Sequence, residues 1–270
     1  MEQAWQDYVA QQEIVVAMRF SYFGSSGWKS DFSKDMALLF EPARLALRLV
    51  LAQSLPLRSL AAQTDQNFHL MILCSEAMPI WAHDSLAEIC AKLLPTGKYS
   101  IVPRKVGVAH AHLGRFLRHR YGQGRVIQTI LDDDDAFSND LIAQIRVELA
   151  ELPAPTDADD LRFVSFARGY GLDMSGKDSE DYALYHHRYP FINLGLTMVS
   201  DAGGKNLFSI RHRKTPLQSV HTVVRNLPMF VRSVHEVNDS RVEVTERWKP
   251  VADWRNAPDI VARFPFLPRL

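Results

Sequence analysis

The segment Val126 to Leu131 (Val-Ile-Gln-Thr-Ile-Leu) has the length and composition of a buried strand, and it runs straight into four consecutive aspartates, Asp132 to Asp135. Few folds accept that junction. Four adjacent carboxylates repel one another unless a cation, or a metal carrying phosphate, compensates them. On an extended continuation alternate side chains point the same way, which would direct Asp132 and Asp134 to one ligand and Asp133 and Asp135 elsewhere. Two hard oxygen donors, with phosphate and water completing the shell, are a common way to hold Mg2+ or Mn2+. The plainer alternative is a solvated acidic turn at a helix N-terminus, where carboxylates are favourable in any case.

The surrounding pattern decides where such a junction sits. Apolar runs of strand length occur within Glu13–Tyr22, at Phe68–Cys74 and at Tyr99–Pro103, with another at Leu161–Arg168. Helical spacing fills the gaps: Phe40 to Leu60 with Pro56 breaking or restarting the pattern, Pro79 to about Leu94, a basic stretch from Val108 to Tyr121, and a helix reaching about Leu152. For that last helix Ser138 reads as the N-cap, with Asp140 in the first turn. Strict strand–helix alternation from residue 13 to residue 152 predicts an α/β fold, an open, mainly parallel sheet flanked by helices. Sheets of that kind bind ligands at the carboxyl ends of their strands, which is where Asp132 falls. Beyond residue 182 the alternation is lost, and a mixed C-terminal region is expected.

At 270 residues with 47% hydrophobic content, one large domain with a substantial core is affordable. No apolar run approaches the roughly 20 residues of a membrane span. The polar start, Met1 to Gln12, does not read as a secretory signal, and Cys74 and Cys90 read as buried free thiols. The expected location is therefore cytoplasmic. Formal net charge is zero but unevenly spread: Asp132 to Tyr182 carries fourteen acidic and four basic residues, and Lys205 to Leu270 twelve basic and six acidic. An acidic middle asks for a cation, and a basic end for phosphate or an anionic surface. Zero net charge without a known module argues against nucleic acid as a partner.

Other acidic motifs fail on named residues. A calcium-binding EF-hand loop opening at Asp132 needs Gly at its sixth position and Glu at its twelfth, where the chain has Phe137 and Ala143. The phosphatase pattern Asp-x-Asp-x-Thr/Val finds neither Thr nor Val at Ala136 or Phe137. The Gly24–Lys29 stretch lacks the G-x-x-x-x-G-K-[ST] phosphate loop, which weakens a nucleotidyltransferase reading. A non-catalytic scaffold that keeps the fold without the chemistry is a further alternative, for which loss of the Asp cluster would be the mark.

Three segments resemble the bacterial rhamnosyltransferase family of GT-A glycosyltransferases: residues 55–68 (Leu-Pro-Leu-Arg-Ser-Leu-Ala-Ala-Gln-Thr-Asp-Gln-Asn-Phe), 130–137 (Ile-Leu-Asp-Asp-Asp-Asp-Ala-Phe) and 228–238 (Pro-Met-Phe-Val-Arg-Ser-Val-His-Glu-Val-Asn). The first is also similar to a pattern of family-2 glycosyltransferases. The resemblance implies a GT-A core over residues 1–204, with a basic region, 205–270, packed on it or extending it. It implies transfer of a sugar, with L-rhamnose a candidate, from a nucleotide-sugar donor to a glycan or lipid-linked acceptor, with inversion. By position, Asp132 approaches ribose and metal, Asp134 ligates the metal, and Asp133 joins Asp132 among donor-contacting candidates. Arg19 and Phe20 lie near the nucleoside, Arg115 helps to hold the donor, and His212 is the candidate third metal ligand within the basic turn Arg211–Lys214. Four aspartates, where the family-2 pattern has fewer, leave the ligating pair open.

Deprotonation of an acceptor hydroxyl asks for a base, and Glu180 and Asp181 are the best-placed carboxylates of the acidic stretch. A solvated loop explains them equally, and His235 reads first as a core or capping residue. The basic C-terminal third, with Trp248, Trp254, Phe264 and Phe266, allows peripheral contact with the inner face of a membrane, although Pro250, Pro258, Pro265 and Pro268 interrupt any amphipathic helix.

Overall fold

A computed structural model describes residues 2–25, 31–176, 181–235, 238, 244 and 248–270. In chain order the strands are β1 (Ile14–Phe20), β2 (Phe68–Ser75), β3 (Tyr99–Arg104), β4 (Arg125–Ile130), β5 (Ala136–Phe137) and β6 (Arg162–Phe166). They continue with β7 (Arg168–Asp173), β8 (Ala183–Arg188), β9 (Thr197–Asp201), β10 (Val220–Val224), β11 (Phe230–Val234) and β12 (Lys249–Pro250). The helices are α1 (Glu2–Gln11), α2 (Met36–Leu39), α3 (Pro42–Ala52), α4 (Arg58–Ala61), α5 (Ile80–Leu93), α6 (Ala109–Tyr121), α7 (Leu141–Ala150) and α8 (Pro258–Arg263).

The larger sheet has the order β10-β6-β9-β4-β1-β2-β3, and all its neighbouring pairs are parallel except the two made by β9. This is the open, mainly parallel sheet flanked by helices that the alternation predicts. β1 and β2 are buried at every position, as a strand covered on both faces must be. One face packs on α3, α5 and α7 through Leu45, Leu49, Leu86, Ile142 and Ile145; the other packs on α6 through Leu113 and Leu117. Residues beyond 204 supply β10 to this sheet.

A smaller sheet, β12-β8-β7-β11-β5, is mostly antiparallel and leans on the end of the larger one. Its Tyr170, Leu172, Leu184 and Val231 face a second apolar cluster with Trp254, Phe264, Phe266 and Leu267. The aromatic residues of the C-terminal third therefore belong largely to this core. No helix among the described residues is long and apolar enough to cross a membrane. Cys74 and Cys90 are buried free thiols, and burial pushes both up to about 12.

The polar N-terminus forms α1, tied down by Trp5 and Val9 in the core and by the Trp5 indole N–H donating to Leu149 O at 3.0 Å. Local expectations need two corrections. Pro56 does not end the helical stretch but sits in a π-helical turn, Gln53–Leu57, joining α3 to α4. Ser138 is not the N-cap of α7. That position is Asp140, and the Ser138 hydroxyl donates to the Asp140 carboxylate at 2.7 Å.

Candidate active site

β4 ends at Ile130, pinned beside β1 by the Leu131 N–H donating to Ala17 O at 3.2 Å. The aspartates do not continue it. The Asp135 N–H donates to Asp132 O at 3.3 Å, closing a turn, so the alternation expected of an extended segment is lost. That geometry splits the run differently from the sequence reading.

Asp133 and Asp134 share one partner, Arg48 of α3. The Arg48 guanidinium donates through Nε and Nη2 to the two oxygens of Asp133 and through Nη1 to Asp134 Oδ2 at 2.7 Å. Arg48 and Asp133 are each about 1% exposed, so this is an interior ion pair. Asp133 is a donor contact by sequence reasoning; the structure corrects this, because its carboxylate is turned inward onto Arg48. Asp134 Oδ2 also lies 3.1 Å from His235 Nε2 and accepts from Asn238 Nδ2 at 3.1 Å. Burial raises the Asp134 pKa, but Arg48 and His235 outweigh it and hold the carboxyl well below its ordinary range. Asp135 accepts from the Ser233 N–H at 2.9 Å. Burial and the charges of Asp134 and Asp132 push its pKa well up, which keeps it neutral more readily than its neighbours.

Asp132 is the member that faces outward, with 28% of its side chain exposed. Arg19, at the end of β1, places Nη2 3.6 Å from Asp132 Oδ1 and lays its guanidinium 4.9 Å from the Phe208 ring centre. Burial raises the Asp132 pKa; Arg19 opposes this, Asp134 adds to it, and Arg232 and Arg48 also oppose it. His212 is half-buried in the same field: burial lowers its pKa, Asp132 raises it and Arg232 lowers it. The structure thus brings together Arg19, Asp132, His212 and Arg232 at the carboxyl ends of β1 and β4, where α/β sheets bind ligands.

The remaining sequence candidates fall apart by position. Phe20 is wholly buried in the main core, so its ring has no surface to offer a nucleoside; it is corrected to a packing residue. The chain instead turns sharply just after it, with Ser21 at φ 43°. Arg115 is exposed on α6, and its charge reaches Tyr22 and His112 beside that turn. Asp181 is exposed in the β7–β8 connection, which leaves the smaller sheet where the Met174 N–H donates to Val234 O, one residue from His235. Glu180 lies outside the described residues, as do positions 26–29 of the Gly24–Lys29 stretch.

Three residues escaped the sequence reading: Arg48, Arg232 and Asn238. Arg48 had a signal, because with Arg44 it falls on the buried stripe of α3 beside Leu45, Leu49 and Ala52, and a charge there needs an internal anion. Two of the three resembling segments meet in space, as His235 and Asn238 close on Asp134. The other serves α7: the Gln63 amide donates to Ser138 O at 2.6 Å and its carbonyl accepts from the Ile142 N–H at 3.0 Å.

No three carboxylate, imidazole or thiol groups converge on a metal position among the described residues. The donor set fits an ion whose shell is completed by phosphate and water. Asp132 Oδ1 is buried without a hydrogen-bond partner, and the three hydrogen bonds to Asp134 all end on Oδ2, away from its other oxygen.

Among solved structures the chain is similar to S. aureus TarS, with 8% identity and a TM-score of 0.45 over 83% of this chain and 37% of that one. For residues 1–349 of S. aureus TarS in complex with UDP-GlcNAc, identity is 11% and the TM-score 0.48, over 86% of this chain and 62% of that one. The chain thus spans less than two thirds of either structure. No curated protein matches its sequence. A family profile does match it, over residues 13–247, and the chain belongs to the family described as "Putative rhamnosyl transferase".

Proposed function

We propose that the chain is a glycosyltransferase that moves a sugar, with L-rhamnose the leading candidate, from a nucleotide-sugar donor to a hydroxyl of a glycan or lipid-linked acceptor. Family membership supports the reaction class. The observation that carries the site is Asp132: a partly exposed carboxylate at the strand ends, among Arg19, Arg232 and His212, whose Oδ1 is buried without a hydrogen-bond partner.

In this reading the donor diphosphate lies between Asp132 and the cations. Asp132 and the second oxygen of Asp134, with His212 at hand, would hold Mg2+ or Mn2+, which would neutralise charge on the leaving diphosphate. Arg19 and Arg232 meet the same charge from the protein side. Arg48, His235 and Asn238 fix Asp134 so that its position does not depend on ligand. Asp181 accepts the acceptor hydroxyl proton as the new C1–O bond forms and the C1–O bond to phosphate breaks, a single displacement that inverts C1. The site is at the inner face of the membrane when the acceptor is lipid-linked, and in the cytoplasm otherwise.

The test is a thermal-shift screen of UDP-, GDP-, dTDP- and CDP-sugars with and without Mn2+. One nucleotide class should stabilise the chain in the presence of metal, by on the order of 5 °C at a hundredfold excess over Kd. Stabilisation by none of them would refute the reading.

A further inference from the structure

Between β8, β12 and the carboxyl ends of β6 and β10 lies a cleft of about 690 Å3. Its lining includes Arg168, Arg188, Arg225 and Lys249, with Tyr189 and Trp248, and among the described residues that line it none is acidic. None of those four cations is within ion-pair distance of a carboxylate among the described residues. Four like charges around a concavity concentrate positive potential there, and an anion is the natural occupant. Arg168 is anchored for that role, its Nη1 donating to Asn226 O at 3.2 Å.

Trp248 gives the cleft a second character. Its indole lies against Gly171 of β7 so closely that a Cβ on that residue would stand 1.9 Å from the ring. His187 meets the indole edge-on with ring centres 4.7 Å apart, and the ring keeps part of its surface open to the cleft. A fixed, flat, half-exposed indole is a surface on which the C–H face of a sugar ring rests. The two characters together describe a sugar with a phosphate next to it.

The cleft also adjoins the donor side. Arg232 stands in register beside Gly171, the residue against which the Trp248 indole lies, on the strand that continues through Ser233 and His235 to the Asp135 and Asp134 carboxylates. Arg213 bridges the same way, its guanidinium 4.7 Å from the Tyr189 ring centre and its chain next to His212. We infer that this cleft is the acceptor subsite and that it selects a phosphate-bearing sugar, with the ring on Trp248 and the phosphate among Arg168, Arg188, Arg225 and Lys249. This rests on the glycosyltransferase reading and specifies its acceptor.

The test is calorimetric titration of the full chain saturated with Mn2+ and the nucleoside diphosphate that stabilises it, so that the donor site is filled. Glucose, glucose 6-phosphate, decyl glucosyl phosphate and inorganic phosphate are the probes. At least one sugar phosphate should bind tenfold or more tightly than glucose and than inorganic phosphate. Preference for glucose 6-phosphate would identify a phosphorylated glycan, and preference for the decyl diester a lipid-linked one. Arg225→Glu with Lys249→Glu, both exposed, should abolish the phosphate advantage and leave nucleotide affinity unchanged. Trp248→Leu should weaken the sugar phosphates about fivefold without weakening inorganic phosphate. Equal binding of glucose and both sugar phosphates, or a phosphate advantage that survives the charge reversal, would overturn the inference while the donor reading stood. Should no nucleotide stabilise the chain, the donor reading fails by itself, and the same titrations on the free chain still decide the anion-and-sugar cleft.

Discussion

Asp133 and Asp132 are neighbours in sequence, yet they stand in opposite regions of the site. The floor, built from Asp133, Asp134, Arg48, Asn238 and the Ser233 N–H, meets its charge from within the protein. The mouth and its wall, built from Asp132, Arg19, His212, Arg232 and the His187–Trp248 face of the smaller sheet, leave buried polar atoms at Asp132 and His187 without a hydrogen-bond partner. A carboxylate matched from inside on both oxygens, as Asp133 is, is structural, however acidic its surroundings. One held out to the strand ends with its own pKa raised is costly to the fold and has to be explained by a ligand.

The floor should fail hardest. Arg48→Met leaves Asp133 buried without its guanidinium, and removal of one partner of an interior ion pair costs about 3–5 kcal/mol. Urea unfolding should show a loss of that size, and Asp133→Asn added to Arg48→Met should recover part of it. A loss below about 1 kcal/mol would mean that the pair is not what closes the floor.

The wall is expected to show its strain as acid sensitivity. Burial, and then Arg232, lowers the His187 pKa to about 4 from its ordinary 6.5. The unfolded chain therefore takes up this proton more readily than the folded one. The neutral imidazole's contribution is complete above pH 6.5 and is lost as pH falls towards 4, to a limit of about 3 kcal/mol. His187→Phe should flatten that part of the stability profile measured from pH 7 to 4; parallel profiles would show that His187 is not held neutral by the fold.

A smaller effect is expected from Gly171→Ala. The new methyl group occupies the place of the Trp248 indole, so the ring must swing out, at a cost of about 1–2 kcal/mol. The emission difference between this variant and its Trp248→Leu derivative should shift to the red relative to the same difference in the parent chain. An unshifted difference would put the indole elsewhere.

Much of the larger sheet was legible because its strands are short, continuously apolar and separated by helical periodicity. β1, β2, β3 and β4 fall close to their expected places for that reason. The smaller sheet was not, because its strands alternate an apolar face with Gly169, Gly171, His187 and Arg232, and no helical periodicity separates them to mark where each begins and which it pairs with. Within the site, the aspartates announced themselves through their mutual repulsion, but their division did not. It depends on the turn closed by the Asp135 N–H and on Arg48, which lies 85 residues away in the chain from Asp133. Phe20 was misplaced because the end of a strand is also where its last apolar side chain enters the core. His235 was legible only as part of a resembling segment, since no local spacing points from it to Asp134.

The division between the two neighbours is tested most directly by one paired measurement: the urea midpoint and the Mn2+-dependent nucleotide Kd of Asp132→Asn beside those of Asp133→Asn. Asp132→Asn should keep or slightly raise the midpoint, as repulsion with Asp134 is relieved, and weaken nucleotide binding at least a hundredfold. Asp133→Asn should lower the midpoint at once. Nucleotide binding at parental affinity by Asp132→Asn, with the parental fold intact, would contradict the account.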